Sequence, residues 1–123
     1  MDSILNSIKK LLGPTEDYSQ FDTDIIMHIN SAFAVLGQLG IGPDDGFSIS
    51  DDTAAWHDYL QDEKSINFVK TYIYLKVKLQ FDTTTMSSAS IESFKEMANE
   101  YEWRLTVAAD EIKARESEAN ENE

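Results

Sequence analysis

The residues of this chain that could do chemistry are few, and their spacing does not bring them together. Neither His28 nor His57 has a residue three or four positions further along that would complete a metal-binding helix face. The Asp44-Asp45-Gly46 turn has a calcium-loop composition but lacks the alternating acids and the final glutamate of that pattern. Hydroxyl residues at 83–85 and 87–93 lack a base partner and suit a loop and a helix cap. We therefore expect no enzyme, no metal site and no cofactor.

Trp103 is open to two interpretations. On a helical wheel it lies about 170° from the apolar seam of its helix, next to Val107 and bordered by Glu96 and Glu100. It could pack on another helix of the same subunit. It could instead anchor a contact with a partner, since tryptophan is enriched at interface hot spots. The sequence leaves both interpretations open.

The distribution of charge bears on the class of partner. The 123 residues carry a formal charge of −13, of which residues 11–63 contribute −11 without one Lys or Arg. Residues 64–81 contribute +4, residues 1–10 contribute +1 and residues 82–123 contribute −7. Because nucleic-acid binding needs basic surface that releases phosphate counterions, we expect no specific or general DNA binding. A basic helix between acidic segments predicts instead that basic and acidic faces meet, within a subunit or between copies.

Composition indicates one soluble domain. A hydrophobic content of 41% is enough for a core in a chain of this length. The absence of cysteine excludes disulfides and fits a reducing compartment. Residues 1–12 are too short and too charged to span a membrane and lack the cleavage site of a secretion signal. We expect a soluble protein made inside the cell, with no membrane partner.

Apolar periodicity predicts an all-α fold, a small bundle of about five helices with a long C-terminal helix and little or no strand. The predicted helices cover about 3–12, 22–39, 53–61, 64–81 and 88–115. The expected N-caps are Asp22 or Thr23 for the second helix, Asp51 or Asp52 for the third, and Ser87 or Ser88 for the last. Residues 1–115 are expected to form one domain, and residues 116–123 an acidic, flexible tail.

Two of these helices carry more apolar surface than a small bundle covers easily. The fourth has two apolar stripes: Ile66, Val69, Ile73 and Val77 on one side, and Phe68, Tyr72, Leu75 and Leu79 on the other. This pattern predicts a central helix packed on both sides. The last helix has a heptad seam from Ile91 to Ile112. At roughly 42 Å it is expected to reach or pass the edge of a domain about 35 Å across.

Several segments, taken in order, resemble a known family. They are 2–13 (DSILNSIKKLLG), 21–30 (FDTDIIMHIN), 39–43 (LGIGP), 46–49 (GFSI), Trp56, 69–79 (VKTYIYLKVKL), 81–82 (FD) and 102–105 (EWRL). Together they resemble the head–tail connector proteins, also called head-completion or adaptor proteins, of tailed phages and of prophages in Gram-positive bacteria. The resemblance spans about residues 1–108.

The resemblance implies a structural subunit of the virion neck, made in the host bacterial cytoplasm. Such subunits form a ring, commonly of twelve copies, that docks on the portal protein, extends the DNA channel and presents a surface to the next head–tail or tail protein. DNA passes through without specific binding. The resemblance also implies that a C-terminal segment reaches the portal, and we place it at Ala109, Glu111, Ile112, Lys113 and Arg115.

For the contact between subunits we expect the basic helix to meet the acidic stretch. The residues expected there are Lys70, Tyr74, Lys78, Asp51, Asp52, Asp58 and Asp62, with Trp103 as a further anchor. The high negative charge leaves an alternative open, a small acidic regulatory protein that mimics DNA and binds a host nucleic-acid-binding protein. That alternative needs acids at phosphate-like spacing on one exposed face.

Overall fold

The computed structural model describes residues 3–13, 21–81 and 86–121. These residues form five helices: α1 (Ile4–Leu12), α2 (Asp22–Gln38), α3 (Trp56–Tyr59), α4 (Glu63–Phe81) and α5 (Ser88–Glu121). Within the described ranges there is no strand, and a single isolated bridge joins Ser3 to Ala55. The predicted all-α fold is therefore confirmed.

Side-chain caps set where α1 and α5 begin; the cap of α5 is predicted from the sequence, whereas the sequence pattern places Ser3 inside the first helix. The Oγ of Ser3 accepts a hydrogen bond from the backbone N–H of Asn6 at 3.2 Å. The Oγ of Ser87 accepts one from the N–H of Ser90 at 3.1 Å. Each serine satisfies an N–H that has no partner inside its own helix.

The beginnings of α2 and α3 differ from the prediction. The N-cap of α2 is Phe21, with no side-chain cap, rather than Asp22 or Thr23. The predicted helix over 53–61 is four residues long, and its N-cap is Ala55. Asp51 does not cap it, because its carboxylate accepts hydrogen bonds from the N–H and hydroxyl of Thr53 in a local turn. Asp58 instead accepts a hydrogen bond from the N–H of Ala55 at 2.8 Å.

Helix α4 is the central element, packed against α1, α2 and α5. Both of its apolar stripes are covered, as predicted: Ile66, Val69, Ile73 and Val77 are buried on one side, and Tyr72 and Leu75 on the other. The hydroxyl of Tyr72 donates a hydrogen bond to Glu102 of α5 at 2.9 Å. Burial and this bond raise the pKa of Tyr72 well above its usual value, so the phenol stays protonated.

Side chains fix the connection between α2 and α3, because this connection contains no helix or strand. The Asn30 amide accepts a hydrogen bond from the N–H of Ile49 at 2.8 Å and donates one to its carbonyl at 2.9 Å. The rings of Phe33, Phe47 and Tyr59 pack together with centroids 4.6 to 5.1 Å apart. Gly42 lies against this cluster at φ +93°, and a Cβ there would stand 2.5 Å from the Tyr59 ring. Only glycine fits that position.

Helix α5 runs the length of the subunit. It has 34 residues and is therefore roughly 51 Å long. Its seam faces inward as predicted, with Ala98, Leu105 and Ile112 buried, and Ala109 beside the seam is buried as well. It ends at Glu121 rather than near Arg115. Residues 113–116 do not overhang, because the connection between α2 and α4 packs along this part of the helix.

Candidate assembly interface

Among the described residues, the side chains suited to metal binding do not form a cluster, and residues 83–85 lie outside the described ranges. The Nε2 of His57 lies 3.3 Å from the Glu63 carboxylate, on the surface. The carboxylate of Asp44 binds Lys113. In the described part of the chain, no three His, Asp or Glu side chains are grouped closely enough to hold a metal ion. The surfaces and ion pairs are therefore the features to examine for function.

One side of α4 carries Lys70, Tyr74 and Lys78, which are predicted to meet another subunit, and also Lys64. We call Lys64, Lys70, Tyr74 and Lys78 the α4 lysine row. Lys64 is exposed and the other three are half-buried. The ammonium of Lys70 lies 5.9 Å from the centroid of Trp56, at cation–π distance, and the Tyr74 ring packs edge-on against Phe94 of α5 at 6.3 Å. The row is thus anchored at Lys70 and Tyr74 and exposed at Lys64.

The acids of the predicted contact have different environments. Asp51, Asp52 and Asp58 are exposed and Asp62 is half-buried, and all but Asp52 accept hydrogen bonds inside the subunit. Asp58 accepts the hydrogen bond from Ala55, and Asp62 begins α4 by accepting hydrogen bonds from the N–H and hydroxyl of Ser65 at 3.0 and 2.8 Å. The pairing of this acidic stretch with the α4 lysine row stays a prediction.

Three charged side chains tie the end of α5 to the rest of the subunit. Lys113 binds Asp44 at 2.8 Å and Arg115 binds Asp62 at 3.2 Å. The Glu116 carboxylate accepts hydrogen bonds from the backbone N–H groups of Gln61 and Asp62 at 2.7 and 2.8 Å. We call these contacts the C-terminal clasp. They show that Glu116, predicted to begin a flexible tail, contacts the beginning of α4.

The clasp also changes the acidity of its carboxyl groups. The hydrogen bond from Ser65, with the neighbouring Arg115 guanidinium, lowers the pKa of Asp62. The hydrogen bond and charge of Lys113 lower the pKa of Asp44. Both groups therefore stay ionised to lower pH than a free aspartate does.

The segment predicted to contact the portal is partly inside the subunit. Ala109 and Ile112 are buried in the core. Arg115 bridges Asp62 and Glu111, the latter at 2.7 Å. Glu111 and Lys113 are exposed. The portal contact itself stays a prediction, and in this conformation only the charged members of the segment can make it.

The opposite side of α5 is uncovered. Trp103 is 67% exposed and Val107 66% exposed, far more than large apolar side chains usually are. Packing of Trp103 on another helix of the same subunit is therefore wrong. Glu96, Glu100 and Asp110 surround the two residues and are also exposed. We call these five residues the α5 outer face.

Comparisons with known proteins give one match. The family model described as "Phage connector protein" matches residues 4–112. No curated protein and no solved structure matches the chain. Within the described ranges, no helix is long and apolar enough to cross a bilayer. Because the matched region includes α1 to α4 and most of α5, the chain belongs to the phage connector protein family, structural proteins of the phage head–tail junction.

Proposed function

We propose that this protein is an adaptor subunit that assembles as a ring on the portal, completes the head and carries the tail. The single observation that carries the proposal is the family match over residues 4–112. In this role the ring extends the DNA channel, and its far side receives the next head–tail or tail protein. We propose twelve copies in the ring and synthesis in the host cytoplasm before assembly.

The exposed surface of the subunit supports an assembly role. Trp103 and the adjacent Val107 expose apolar surface to water, and covering that surface with a partner lowers the free energy. At a contact buried in an assembly, a tryptophan is the most effective anchor. The α5 outer face thus has the composition of an interface centre.

The charge of the chain supports passage of DNA without binding. At −13, the subunit offers phosphates little basic surface on which to release counterions. An acidic wall repels the duplex and lets it slide. The same charge would suit an acidic DNA mimic, and family membership favours the connector over that alternative.

For the portal contact we propose the C-terminal segment of α5. Ala109 and Ile112 fix the segment to the core, and Glu111, Lys113 and Arg115 supply charged groups at its surface. For the subunit contact we propose the α4 lysine row as one side. The sequence prediction supplies Asp51, Asp52, Asp58 and Asp62 as the other side.

Purified portal rings test the proposal directly. The wild-type chain is mixed with them and viewed by negative-stain electron microscopy, where a collar of extra density is expected. Lys70→Glu with Lys78→Glu is expected to abolish the collar while leaving the helical circular dichroism unchanged, since it reverses the charge of the row. The matched control is Lys10→Glu with Lys95→Glu, the same charge change at exposed lysines elsewhere. Wild-type chain that leaves the portal bare contradicts the proposed function; collars with the Lys70 and Lys78 variant contradict only the role of the row.

A further inference from the structure

The α5 outer face has an apolar centre and acidic ends. Glu96 and Asp110 are each seven residues from Trp103, which places them about two turns away and within roughly 20° of it around the helix. All three side chains are exposed. A partner must therefore cover an indole and offer positive charge on both sides of it.

A second α5 outer face cannot be that partner. If two copies paired through this face, parallel or antiparallel, the acidic ends of one would meet the acidic ends of the other. Like charges brought together at an interface cost several kcal/mol. The charge pattern therefore disfavours a two-fold dimer through Trp103 and requires a different, basic surface.

The α4 lysine row has the complementary pattern. The row holds three of the four lysines of residues 64–81, a stretch without an acid that follows the exposed Glu63 at the beginning of α4. Lys64 and Lys78 are 14 residues apart, as Glu96 and Asp110 are, so each pair spans roughly 21 Å along its helix. Thr71 is midway between the lysines, as Trp103 is midway between the acids. Thr71 is therefore the residue over which the indole would dock, between two positive ends.

The two surfaces of one subunit point in different directions. Phe68 and Tyr72 contact α5, and the centre of the α4 lysine row lies about a third of a turn further around α4, with Tyr74 at its edge against Phe94 of α5. Trp103 points away from α4 altogether. One subunit can therefore offer its row to one neighbour and its outer face to another, and such a contact closes into a ring when the rotation allows.

We propose that the α5 outer face of each copy docks onto the α4 lysine row of the next copy. The proposal rests on the proposed ring and names the contact that builds it. It replaces the acidic stretch as the partner of the lysines. The α5 outer face adds the exposed Trp103 to its acids, whereas Asp58 and Asp62 accept hydrogen bonds from Ala55 and Ser65 of their own subunit.

Cysteine cross-linking on portal-bound rings tests the contact, since the chain has no cysteine of its own. One double variant combines Asn67→Cys with Val107→Cys, whose cysteines meet between neighbouring copies if the two helices run antiparallel. The other combines Asn67→Cys with Asn99→Cys, whose cysteines meet if the helices run parallel. All three positions are exposed. One of the two double variants is expected to give a ladder of multimers longer than dimers under mild oxidation. Val107→Cys with Gln38→Cys is the matched control on another exposed face and is expected to give none.

The outcomes separate the contact from the ring. Collars on the portal with no ladder from either double variant overturn the contact and leave the ring standing. Dimers from Val107→Cys alone, or its cross-linking to the portal, also overturn the contact in favour of another occupant. Wild-type chain that forms no collar removes the ring and the contact together.

Charge reversal provides a second test that does not depend on cross-linking geometry. Glu96→Lys with Asp110→Lys is expected to weaken assembly on the portal about tenfold or more. Adding Lys64→Glu and Lys78→Glu is expected to restore it. The same lysine reversals are also combined with Asp51→Lys and Asp52→Lys. If they restore the assembly of that variant, the partner of the row is the acidic stretch, and the proposal is overturned.

Discussion

The C-terminal clasp and the α5 outer face belong to one helix and have opposite environments. In the clasp, Lys113, Arg115 and Glu116 all have partners inside the subunit. On the outer face, Trp103 and Val107 are two-thirds exposed. The charged end of the helix is thus used for folding, and its apolar middle is left uncovered. Charge alone does not identify an interface, whereas an uncovered large apolar side chain points to one.

The largest difference expected between the two sides of α5 is in unfolding free energy. Leu105 is 1% exposed and faces α4, so Leu105→Ala is expected to lower the free energy of unfolding by about 3 kcal/mol. Trp103→Ala removes a larger side chain and is expected to change it by less than about 0.5 kcal/mol. Urea unfolding of the free chain measures both. A loss for Trp103→Ala that equals the loss for Leu105→Ala would mean that the outer face is part of the core.

The C-terminal clasp is expected to contribute less to the free energy of unfolding than Leu105 does. Glu116→Gln keeps the shape of the side chain but removes the charge that receives two backbone hydrogen bonds, so a loss of about 1 kcal/mol is expected. Glu118→Gln is the matched control, an exposed glutamate two residues further along. Amide hydrogen exchange at Gln61 and Asp62 should rise only in the first variant. Equal exchange in both variants would argue against the clasp.

The smallest expected effect is a dependence on acid. The hydrogen bond from Ser65, with help from Arg115, lowers the pKa of Asp62 in the folded chain. A lowered pKa stabilises the fold above the unfolded value of 3.8, and that stabilisation is lost as the pH falls through the folded value. Because both side chains of the ion pair are partly exposed, the contribution is expected to stay below about 1 kcal/mol.

Unfolding at pH 7 and pH 3 measures this contribution. Asp62→Asn is expected to lose less stability between the two values than the wild-type chain does. Asp52→Asn, at an exposed aspartate, should behave like the wild type. If the Asp52 variant loses as little stability between pH 7 and pH 3 as the Asp62 variant, the effect is general and not specific to the clasp.

Local patterns made most of the fold predictable. The cap at Ser87 and the two stripes of α4 follow from residues within a few positions of one another. The clasp was not predictable, because Asp44 and Lys113 are 69 residues apart in the chain and nothing in their spacing pairs them. The length of α3 was overestimated for a related reason. Asp51 hydrogen-bonds Thr53 in a turn, and the apolar pattern of this segment does not distinguish that turn from a helix.

For the candidate interface, the sequence predicted only the side of α5 on which Trp103 lies. The helical wheel placed Trp103 away from the seam, and the structure agrees. Whether another helix of the same subunit covered that side depended on how the helices pack, which the wheel does not contain. The link between Asn30 and Ile49 had no recognisable signal either, because a single amide that pairs with a distant backbone has no repeating pattern.

The two tryptophans give the chain a pair of separate optical reporters. Trp56 is 3% exposed and its indole N–H donates a hydrogen bond to Ser7, whereas Trp103 faces water. A soluble quencher such as acrylamide therefore reaches the emission of one ring and not of the other. Replacing Trp56 by phenylalanine leaves a fluorophore that reports docking, and replacing Trp103 leaves one that reports unfolding.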